Sequence, residues 1–572
     1  MSFVNFTHHP RGRCKRLHAF CRTALLLAAT ALAPLHAAKF TGEPEIQRQP
    51  LSPEDSRRTL RVEEGLRIEL VASEPLTTDP VDIAWDETGR MFVVETIGYN
   101  RPENAKPRSR IRLLEDTNGD GRMDRGTTFA EDLDYAQGIL PSAGGLIVTT
   151  NTGILFLRDT DGDGKADINT VLFECTPSIN VDRQMSAPRR GLDNWIYVNP
   201  GLFKKEIIRP GQPESRLEIT TNFRFHLRSG AFERAAGTGQ FGKTFDDWGR
   251  QFSSMNRNPA LFAVLPYRYL ERNPTALLTR SDEDVAPAGG EGKVYPLQTF
   301  RTTSSAHAGT FTAACGTGVY RGDVLGVDFA GSLFVCEPTG ALVTRWILEP
   351  SGASLKARRA KPGREFLAST DEWFRPVNIT TGPDGALYVV YMYRRFMDGA
   401  RFFPDDYVAA NDMGAGMNRG RIYRVVPDKT VRLRPAAPLP DDPLQRVALL
   451  EHPNGWHRDT AHRLLVESAD KKAIVAVEKL FRESARAQGR LHAMWVLEGL
   501  NGLKEEHVAA ALRDAEPGVI ENALWLAPRF LASSEAIRRR VLELAAGPAG
   551  RVCFAAVLAA GDIDSPAATR AL

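Results

Sequence analysis

The hydrophobic pattern between residues 60 and 428 repeats a short unit in which a polar turn containing glycine precedes an apolar strand. The unit occurs six times, mostly about fifty residues apart: DETGRMFVVE (86–95), SAGGLIVTTN (142–151), RGLDNWIYVN (190–199), DDWGRQFSSMN (246–256), FAGSLFVCE (329–337) and GPDGALYVVY (382–391). Another short strand precedes most of these turns. This spacing suits four-stranded antiparallel blades and predicts a six-bladed β-propeller, with an irregular β-sandwich or two smaller β-domains as alternatives.

The pattern changes after residue 428. Residues 429–443 form a proline-rich linker, and the apolar positions of residues 444–572 then follow a helical period. Helix pairs recurring roughly every thirty residues predict a HEAT-like solenoid. Its last segment, SPAATRAL, lacks a polar terminal cap, so the solenoid is predicted to be incomplete. The expected fold is therefore mostly β, a propeller followed by an α-helical solenoid.

The first 38 residues have the pattern of a signal peptide. A basic stretch precedes the apolar run ALLLAATALAPL (24–35), which is too short to span a bilayer, and residues 39–59 form an N-terminal extension. We expect export to the periplasm or beyond, with no transmembrane segment in the mature chain. Without this segment the chain carries 68 basic and 70 acidic residues. Such near-neutrality gives no reason to expect binding to nucleic acid.

Four of the six cysteines remain after the predicted cleavage: Cys175, Cys315, Cys336 and Cys553. Cys315 and Cys336 flank one hairpin-like stretch, and the sequence leaves open whether they form a disulfide or stay as buried thiols. The chain has no Cys-x-x-Cys-His motif, so we expect no covalently bound haem.

Polar residues are expected to converge on one end of the propeller. The innermost strand of each blade begins there and the second strand ends there; we call this end the top face and the opposite end the bottom face. Convergent polar groups on an axial cavity suggest a binding site, although short polar residues also commonly end strands. The candidate binding residues are Glu95, Gln137, Asn151, Gln184, Asn199, Gln240, Asn256, Glu337 and Asn378.

Three further side chains could act in chemistry at the top face. His307 could be a general base, since imidazole titrates near neutral pH. Arg375 and Arg394 could hold ligand carboxylates in bidentate fashion. A structural histidine and inter-blade ion pairs are the alternatives.

Two copies of an acidic loop, DTNGDGRMD (116–124) and DTDGDGKAD (159–167), lie between the third and fourth strands of successive blades. Oxygen ligands at alternate positions suit Ca²⁺, but position 12 holds threonine instead of glutamate, so these are not EF-hands. Metal-free Asp-Gly turns are the alternative. The predicted structural calcium ligands are Asp116, Asn118, Asp120, Asp124, Asp159, Asp161, Asp163 and Asp167.

Taken together, the two acidic loops and the motifs RGLDNWIYVN, FGKTFDDWGRQF, EFLASTDEWFRPVNITTGPDGALYVVYMYR and GRIYRV resemble the planctomycete and verrucomicrobial propellers named as membrane-bound dehydrogenases. This resemblance implies a six-bladed propeller related to the soluble glucose and sorbosone dehydrogenases, which use pyrroloquinoline quinone (PQQ) with Ca²⁺. Members commonly continue into helical repeats and a c-type cytochrome domain. Arg375 and Arg394 would then hold the quinone carboxylates.

The chain departs from that family at two motif positions. The catalytic histidine of the sugar dehydrogenases falls on Arg183, which cannot act as a base at neutral pH, so His307 would have to replace it. Relatives often carry aspartate where this chain has Tyr391. The resemblance favours an exported oxidoreductase acting on a sugar or polyol, with a separate c-type cytochrome as electron carrier. The alternatives are a non-catalytic carbohydrate- or protein-binding propeller, with the solenoid as docking surface, and a Ca²⁺-dependent lactonase.

Overall fold

The structure is a computed structural model that describes residues 49–99, 109–178, 183–273, 275, 280–298, 309–429, 433 and 437–571. The described helices and strands lie in one compact unit, Leu51–Leu572. The predicted signal peptide lies outside the described residues.

The first three elements lead into the propeller: α1 (Pro53–Thr59), β1 (Leu60–Val62) and β2 (Leu66–Ser73). Blade 1 follows with β3 (Pro80–Trp85), β4 (Met91–Glu95), β5 (Ser109–Glu115) and β6 (Arg125–Leu133). Blade 2 contains β7 (Gly138–Ser142), β8 (Gly145–Thr149), β9 (Gly153–Arg158) and β10 (Ile168–Cys175). Each of these two blades pairs its strands antiparallel in chain order.

Blade 3 is interrupted by a hairpin that extends its neighbour. Its own strands are β11 (Ser186–Arg190), β12 (Ile196–Asn199), β15 (Phe223–Phe225) and β16 (Phe232–Arg234). The inserted strands β13 (Lys205–Arg209) and β14 (Gln212–Ile219) pair onto the outer edge of blade 2.

Blade 4 contains β17 (Phe241–Phe245), β18 (Gln251–Met255), β19 (Asn258–Ala263), the helix α2 (Tyr267–Arg272) and β20 (Asp282–Asp284). Blade 5 contains β21 (Cys315–Val319), β22 (Leu333–Glu337), β23 (Leu342–Ser351), β24 (Ser354–Arg359) and β25 (Leu367–Ser369). Blade 6 contains β26 (Phe374–Thr381), β27 (Leu387–Tyr393), the helix α3 (Asp405–Ala410) and β28 (Arg421–Pro427).

The N-terminal strands close the ring. β1 is the outermost strand of blade 5, and β2 pairs with the C-terminal β28 from Leu66↔Pro427 to Ser73↔Arg421. Six sheets of at least four strands thus form a closed ring, and the predicted six-bladed propeller is confirmed. Apolar residues of adjacent blades fill the spaces between the sheets.

The polar turn of the repeated unit has a common structure. The carboxylates of Asp86, Asp246 and Asp384 each accept the backbone N–H two residues ahead, at 3.0, 2.9 and 3.1 Å. Gly249 then adopts a φ of +77°, a backbone conformation that glycine reaches without steric cost. This chemistry explains why the turn carries aspartate and glycine and why the signature is visible in the sequence.

The C-terminal helices pack against their neighbours around a core of their own. Asp442 caps the first of them, so the helices start at the last residue of the predicted linker. In chain order they are α4 (Pro443–Leu449), α5 (Gly455–Ser468), α6 (Ile474–Glu483), α7 (Ala487–Gly499), α8 (Glu505–Ala511), α9 (Pro517–Leu526), α10 (Glu535–Ala545), α11 (Arg551–Ala560) and α12 (Pro566–Ala571).

This helical domain packs on the bottom face of the propeller. Helix α5 lies nearest the axis and contacts all six blades through ion pairs and hydrogen bonds. Arg321 of blade 5, for example, holds both carboxylate oxygens of Asp459 at 2.6 and 2.9 Å. The side-chain amide of Asn454, which caps α5, donates to the carbonyl of Gly382 in blade 6 at 3.0 Å. The two parts of the chain therefore form one packed body.

A buried carboxylate makes a second attachment farther from the axis. Glu521 on α9 is 1% exposed and lies between two arginines. Arg250 of blade 4 donates to one of its oxygens at 2.9 Å, and Arg551 on α11 donates to the other at 3.0 Å. The charge is compensated on both sides, which is what a buried carboxylate requires.

The four described cysteines are free thiols. Cys315 and Cys336 are paired in register across β21 and β22 as two buried thiols, so the question left open by the sequence is answered against a disulfide. Burial raises the pKa of Cys336 above its usual range, so this thiol is protonated and unreactive at neutral pH. Among the described residues, no helix is long and apolar enough to cross a membrane.

Candidate binding site on the propeller axis

The top-face carboxylates hold strands in place. Glu95 is fully buried, accepts the backbone N–H of Thr78 at 2.9 Å and pairs with Arg110. Glu337 is fully buried and accepts the backbone N–H of Ala313 at 3.0 Å. Each carboxylate thus accepts hydrogen bonds from backbone N–H groups in the segment that leads into the first strand of its own blade. Burial raises the pKa of both side chains, that of Glu337 to about 7.

The top-face amides make similar contacts. The carbonyl oxygen of Asn151 accepts the backbone N–H of Ser178 at 2.8 Å, and the amide of Asn199 donates to the carbonyl of Gly242 at 3.0 Å. Gln184 donates to a backbone carbonyl at 2.7 Å. The side-chain oxygens of Asn199 and Gln184 are buried without a hydrogen-bond partner. Of the remaining predicted side chains, Gln240 is buried, Gln137 half-buried and Asn256 exposed.

Arg375 and Arg394, the predicted carboxylate-binding residues, contact oxygens of the protein itself. Arg375 is buried and donates to the backbone carbonyls of Pro338 at 2.8 Å and of Arg395 at 2.7 Å. Arg394 is fully buried and forms a two-bonded ion pair with Asp79. Both guanidinium groups are occupied by the protein, and the sequence could not show this because most of their partners are backbone carbonyls or distant residues.

The predicted catalytic positions are not assembled by the described residues. The guanidinium of Arg183 lies over the exposed ring of Phe203, 4.7 Å from its centroid. Tyr391 is fully buried and stacks on Tyr423 with 5.3 Å between ring centroids. His307 lies outside the described residues. Neither Arg183 nor Tyr391 supplies an acid or base to the axis.

A belt of polar residues crosses the axis at mid-height. Arg189 holds both carboxylate oxygens of Asp82 at 2.9 and 3.1 Å, and Asn378 donates to Asp82 at 2.7 Å. Lys243 and Thr317 continue this belt on the innermost strands of blades 4 and 5. We call these five residues the axial belt. They come from five of the six innermost strands, so the belt is a product of the closed ring.

Lys243 is the electrostatically unusual member of the axial belt. Its side chain is 1% exposed, and its Nζ has no hydrogen-bond partner. Burial and the neighbouring charge of Arg189 place its pKa well below the usual range. The Thr317 hydroxyl is also buried without a hydrogen-bond partner. A buried amine lacking a partner is costly, so a group that accepts a hydrogen bond from it would stabilise the site.

An axial cavity of about 220 Å³ lies between this belt and helix α5, at the bottom face. All six innermost strands contribute to its wall, and the helical domain closes it from below. Its polar lining includes Thr244, Asp246, Thr380, Thr381, Asp459 and Thr460 together with Arg189, Arg190, Arg321, Arg463, His462 and His492. Each of the four arginines already pairs with at least one carboxylate of the protein, so the lining presents fixed ion pairs and not free cations.

A buried histidine pair forms part of this wall. His462 and His492 place their Nδ1 atoms 3.1 Å apart, and Nε2 of His462 lies 3.1 Å from the side-chain oxygen of Asn194. With the Asn194 amide in this orientation, His462 donates from Nε2 to that oxygen and accepts at Nδ1 from His492. In that arrangement the Nε2 of His492 is unprotonated; it has no hydrogen-bond partner and lies 3.7 Å from a carboxylate oxygen of Asp459. Burial lowers the pKa of both rings, that of His462 to about 3, so both are neutral.

Residues 52–429, two thirds of the chain, match a family described as a domain of unknown function, DUF7133. The chain belongs to the DUF7133 family. No curated protein matches the sequence.

Solved structures resembling the DUF7133 chain are distant. A glucose dehydrogenase-type oxidoreductase from Thermus thermophilus is 17% identical over 63% of this chain and all of its own, with a TM-score of 0.36. The PQQ domain of pyranose dehydrogenase from Coprinopsis cinerea is 13% identical over 68% of this chain and 99% of its own, with a TM-score of 0.34. The periplasmic gluconolactonase of Pseudomonas aeruginosa is 15% identical over 56% and 79%, with a TM-score of 0.32. At this similarity none of their activities transfers to this chain.

The described residues of the DUF7133 domain do not fit PQQ in the manner that the resemblance implies. PQQ carries three carboxylates, and Arg375 and Arg394, the arginines expected to hold them, are occupied by protein oxygens. The buried amine of Lys243 does not balance three carboxylates. We therefore derive no catalytic step through a quinone.

The acidic loops lie where the sequence predicts, between β5 and β6 and between β9 and β10. Each contacts the preceding blade, since Met123 donates to the carbonyl of Val71 and Ala166 to that of Phe129, both at 2.8 Å. Ligand oxygens of Asp159, Asp161 and Asp167 lie within 4.8 Å of one another, and their chemistry fits Ca²⁺. Among the described residues this is the carboxylate group close enough to share an ion, and it lies far from the axis.

Sequence reasoning missed Arg189, Lys243 and the histidine pair. Arg189 and Lys243 carried a detectable signal, because each is a charged residue inside a short strand that forms the innermost layer of a blade. His462 and His492 carried none, since a helical period alone does not tell which face meets the propeller.

Proposed function

We propose that the protein binds a small anionic polyol, such as a sugar acid, in the axial cavity and that it does not oxidise this ligand. The observation that carries the proposal is the unpartnered Nε2 of His492 in a cavity lined by four arginines. The Nε2 atom can accept a hydrogen bond from a ligand hydroxyl, and the Nε–H of Arg190, which is buried without a hydrogen-bond partner, can donate to a ligand carboxylate or phosphate. From the predicted signal peptide we expect this binding in the periplasm or outside the cell.

Several contacts support binding over catalysis. The ion pairs that fix Arg321 and Arg463 keep these guanidinium groups rigid, so a ligand meets preorganised charges. The hydroxyl groups of Thr380 and Thr460 line the same space and make no side-chain hydrogen bond within the described residues. Threonine hydroxyls both donate and accept, which suits a polyol. Arg183, at the position of the family's catalytic histidine, offers no base.

The test is isothermal titration calorimetry of the full chain with gluconate, glucarate, glucose 6-phosphate and neutral glucose. We expect at least one anion to bind about tenfold more tightly than glucose, a difference of about 1.4 kcal/mol. His492→Phe keeps the ring but removes the acceptor, and Thr460→Leu fills the cavity; both should weaken binding. His452→Phe, a half-buried histidine outside the cavity, is the matched control. Equal affinity for glucose, or full binding by both cavity variants, contradicts the proposal.

A second candidate is oxidation of a sugar or polyol at the top face, with electrons passed to a separate carrier. It is favoured by Glu337, a buried carboxyl whose pKa of about 7 suits a general base. The test adds Ca²⁺, PQQ and an electron-accepting dye to the full chain with a panel of sugars. Dye reduction that is lost in Glu337→Gln supports this candidate, whereas absence of turnover leaves the binding proposal as it stands.

A further inference from the structure

A second space, distinct from the axial cavity, opens between blades 3 and 4 and helices α7 and α9. This aromatic cleft has a volume of about 380 Å³, within the range of small-molecule pockets, roughly 300–1,000 Å³. The chain has eight tryptophans, and four of them line this one cleft. Its principal aromatic residues are Trp195, Tyr197, Trp248, Tyr267, Trp495 and Trp525. Such a concentration of indole rings in one place indicates a ligand surface.

The rings retain hydrogen-bonding capacity. Trp195, Trp248 and Trp525 are half-buried, and their indole N–H groups have no partner within the described residues. Trp495, in contrast, is buried and donates to the side chain of Asn522 at 2.9 Å. Indole groups that are partly exposed and unpartnered can donate to a ligand while their faces pack against it.

The charges of the cleft are compensated within the protein. Arg529 pairs with Glu498 at 2.8 Å, and Arg224 lies 2.9 Å from Asp193 and 4.4 Å from the Trp195 ring centroid. The other lining arginines have carboxylate partners, except for Arg268, which contacts a tyrosine hydroxyl. A strongly charged ligand would therefore displace existing pairs. The cleft suits a neutral ligand that has both an apolar face and many hydroxyl groups.

We propose that the aromatic cleft binds a neutral oligosaccharide. The C–H face of a pyranose ring packs on indole and phenol rings, and its hydroxyl edge meets the indole N–H groups and the Arg529–Glu498 pair. This site goes beyond the proposed binding of a small anion on the axis. The two spaces share the turn at Gly191–Leu192 but have different chemistry.

The experiment titrates the full chain with cellohexaose, xylohexaose, mannohexaose and laminarihexaose, and follows intrinsic tryptophan fluorescence and calorimetric heat. We expect at least one hexasaccharide to change the fluorescence and to bind with a Kd below about 1 mM, with Trp525→Ala and Tyr267→Ala each weakening it at least about fivefold. Trp525→Phe keeps a ring and should retain most of the affinity. Trp373→Phe, at a buried tryptophan that lines neither the cleft nor the axial cavity, is the control.

The outcomes separate this site from the axial one. Retained binding of the sugar acid by Trp525→Ala, together with loss of hexasaccharide binding, supports two independent sites. The proposal is overturned if none of the four hexasaccharides binds to the folded protein. It is equally overturned if both aromatic variants bind like the wild type, or if a proline-rich peptide, and no sugar, changes the fluorescence. Tyr267→Ala, which removes a side chain outside the helical core, keeps the test valid if Trp525→Ala does not fold.

Discussion

Replacing Lys243 by methionine should stabilise the protein at neutral pH. The amine is fully buried, has no hydrogen-bond partner and lies near Arg189, so the folded state carries the cost of desolvating it. Methionine has a similar length and flexibility and no polar atom. Mutational data on buried polar groups give a cost of about 1–3 kcal/mol, and we expect a gain within that range.

The stability difference between the wild type and Lys243→Met depends on pH. Because the folded-state pKa of Lys243 is lowered, the unfolded chain binds one more proton between that pKa and the unfolded value of about 10.4. The stability of the wild type relative to Lys243→Met therefore falls as the pH drops through that window, by about 1.4 kcal/mol per pH unit. A group whose pKa is raised by folding behaves in the opposite way, because its contribution to stability is lost as the pH rises.

The assay is urea unfolding of wild type and variant at pH 7, 8, 9 and 10, followed by tryptophan fluorescence. The difference in unfolding free energy should favour the variant most at pH 7 and should shrink and then change sign towards pH 10. A variant that is less stable than the wild type at pH 7, or a difference that does not vary with pH, would refute the reasoning. Either result would mean that the amine is paired or charged in the folded protein.

Three further predictions follow from buried charges and from the acidic loops. Glu521→Gln leaves Arg250 and Arg551 without their shared counter-charge and should cost about 3–5 kcal/mol, measured by urea unfolding; a loss below about 1 kcal/mol would contradict this role. Adding Ca²⁺ after EDTA treatment should raise the melting temperature, and Asp159→Asn should reduce that rise in calorimetric scans. An unchanged rise in Asp159→Asn would place the ion elsewhere. Since the pKa of His462 falls from 6.5 to about 3 on folding, stability from its neutral form is complete above pH 6.5 and is lost towards pH 3. His462→Gln should therefore flatten the acid limb of a melting-temperature profile, and an unchanged limb would show that other groups cause it.

The propeller could be predicted because its turns are stabilised by hydrogen bonds between residues that are close in sequence. An aspartate that accepts the N–H groups ahead of it, followed by a glycine at positive φ, is a local device, and it repeats along the ring in a recognisable form. The acidic loops were placed between the correct strands for the same reason. Local signals of this kind can be recognised in the sequence without knowledge of tertiary contacts.

The candidate site could not be predicted in the same way. Arg375 and Arg394 looked like ligand-binding cations because the sequence does not show the carbonyls of Pro338 and Arg395, or Asp79, as their partners. The axial cavity also depends on which face of helix α5 meets the propeller, and that choice is made by long-range ion pairs such as Arg321–Asp459. Tertiary packing, not local pattern, decides where polar groups converge.

The turn Gly191–Trp195 connects both candidate sites to the helical domain. Asn194 lies at the bottom of the propeller, and its side-chain oxygen accepts a hydrogen bond from His462 of helix α5. Leu192 packs against the helical core, and Trp195 lines the aromatic cleft. Because the walls of the cavity and of the cleft come partly from helices α5, α7 and α9, the propeller alone would possess neither. The helical domain therefore forms part of the wall of both proposed binding sites.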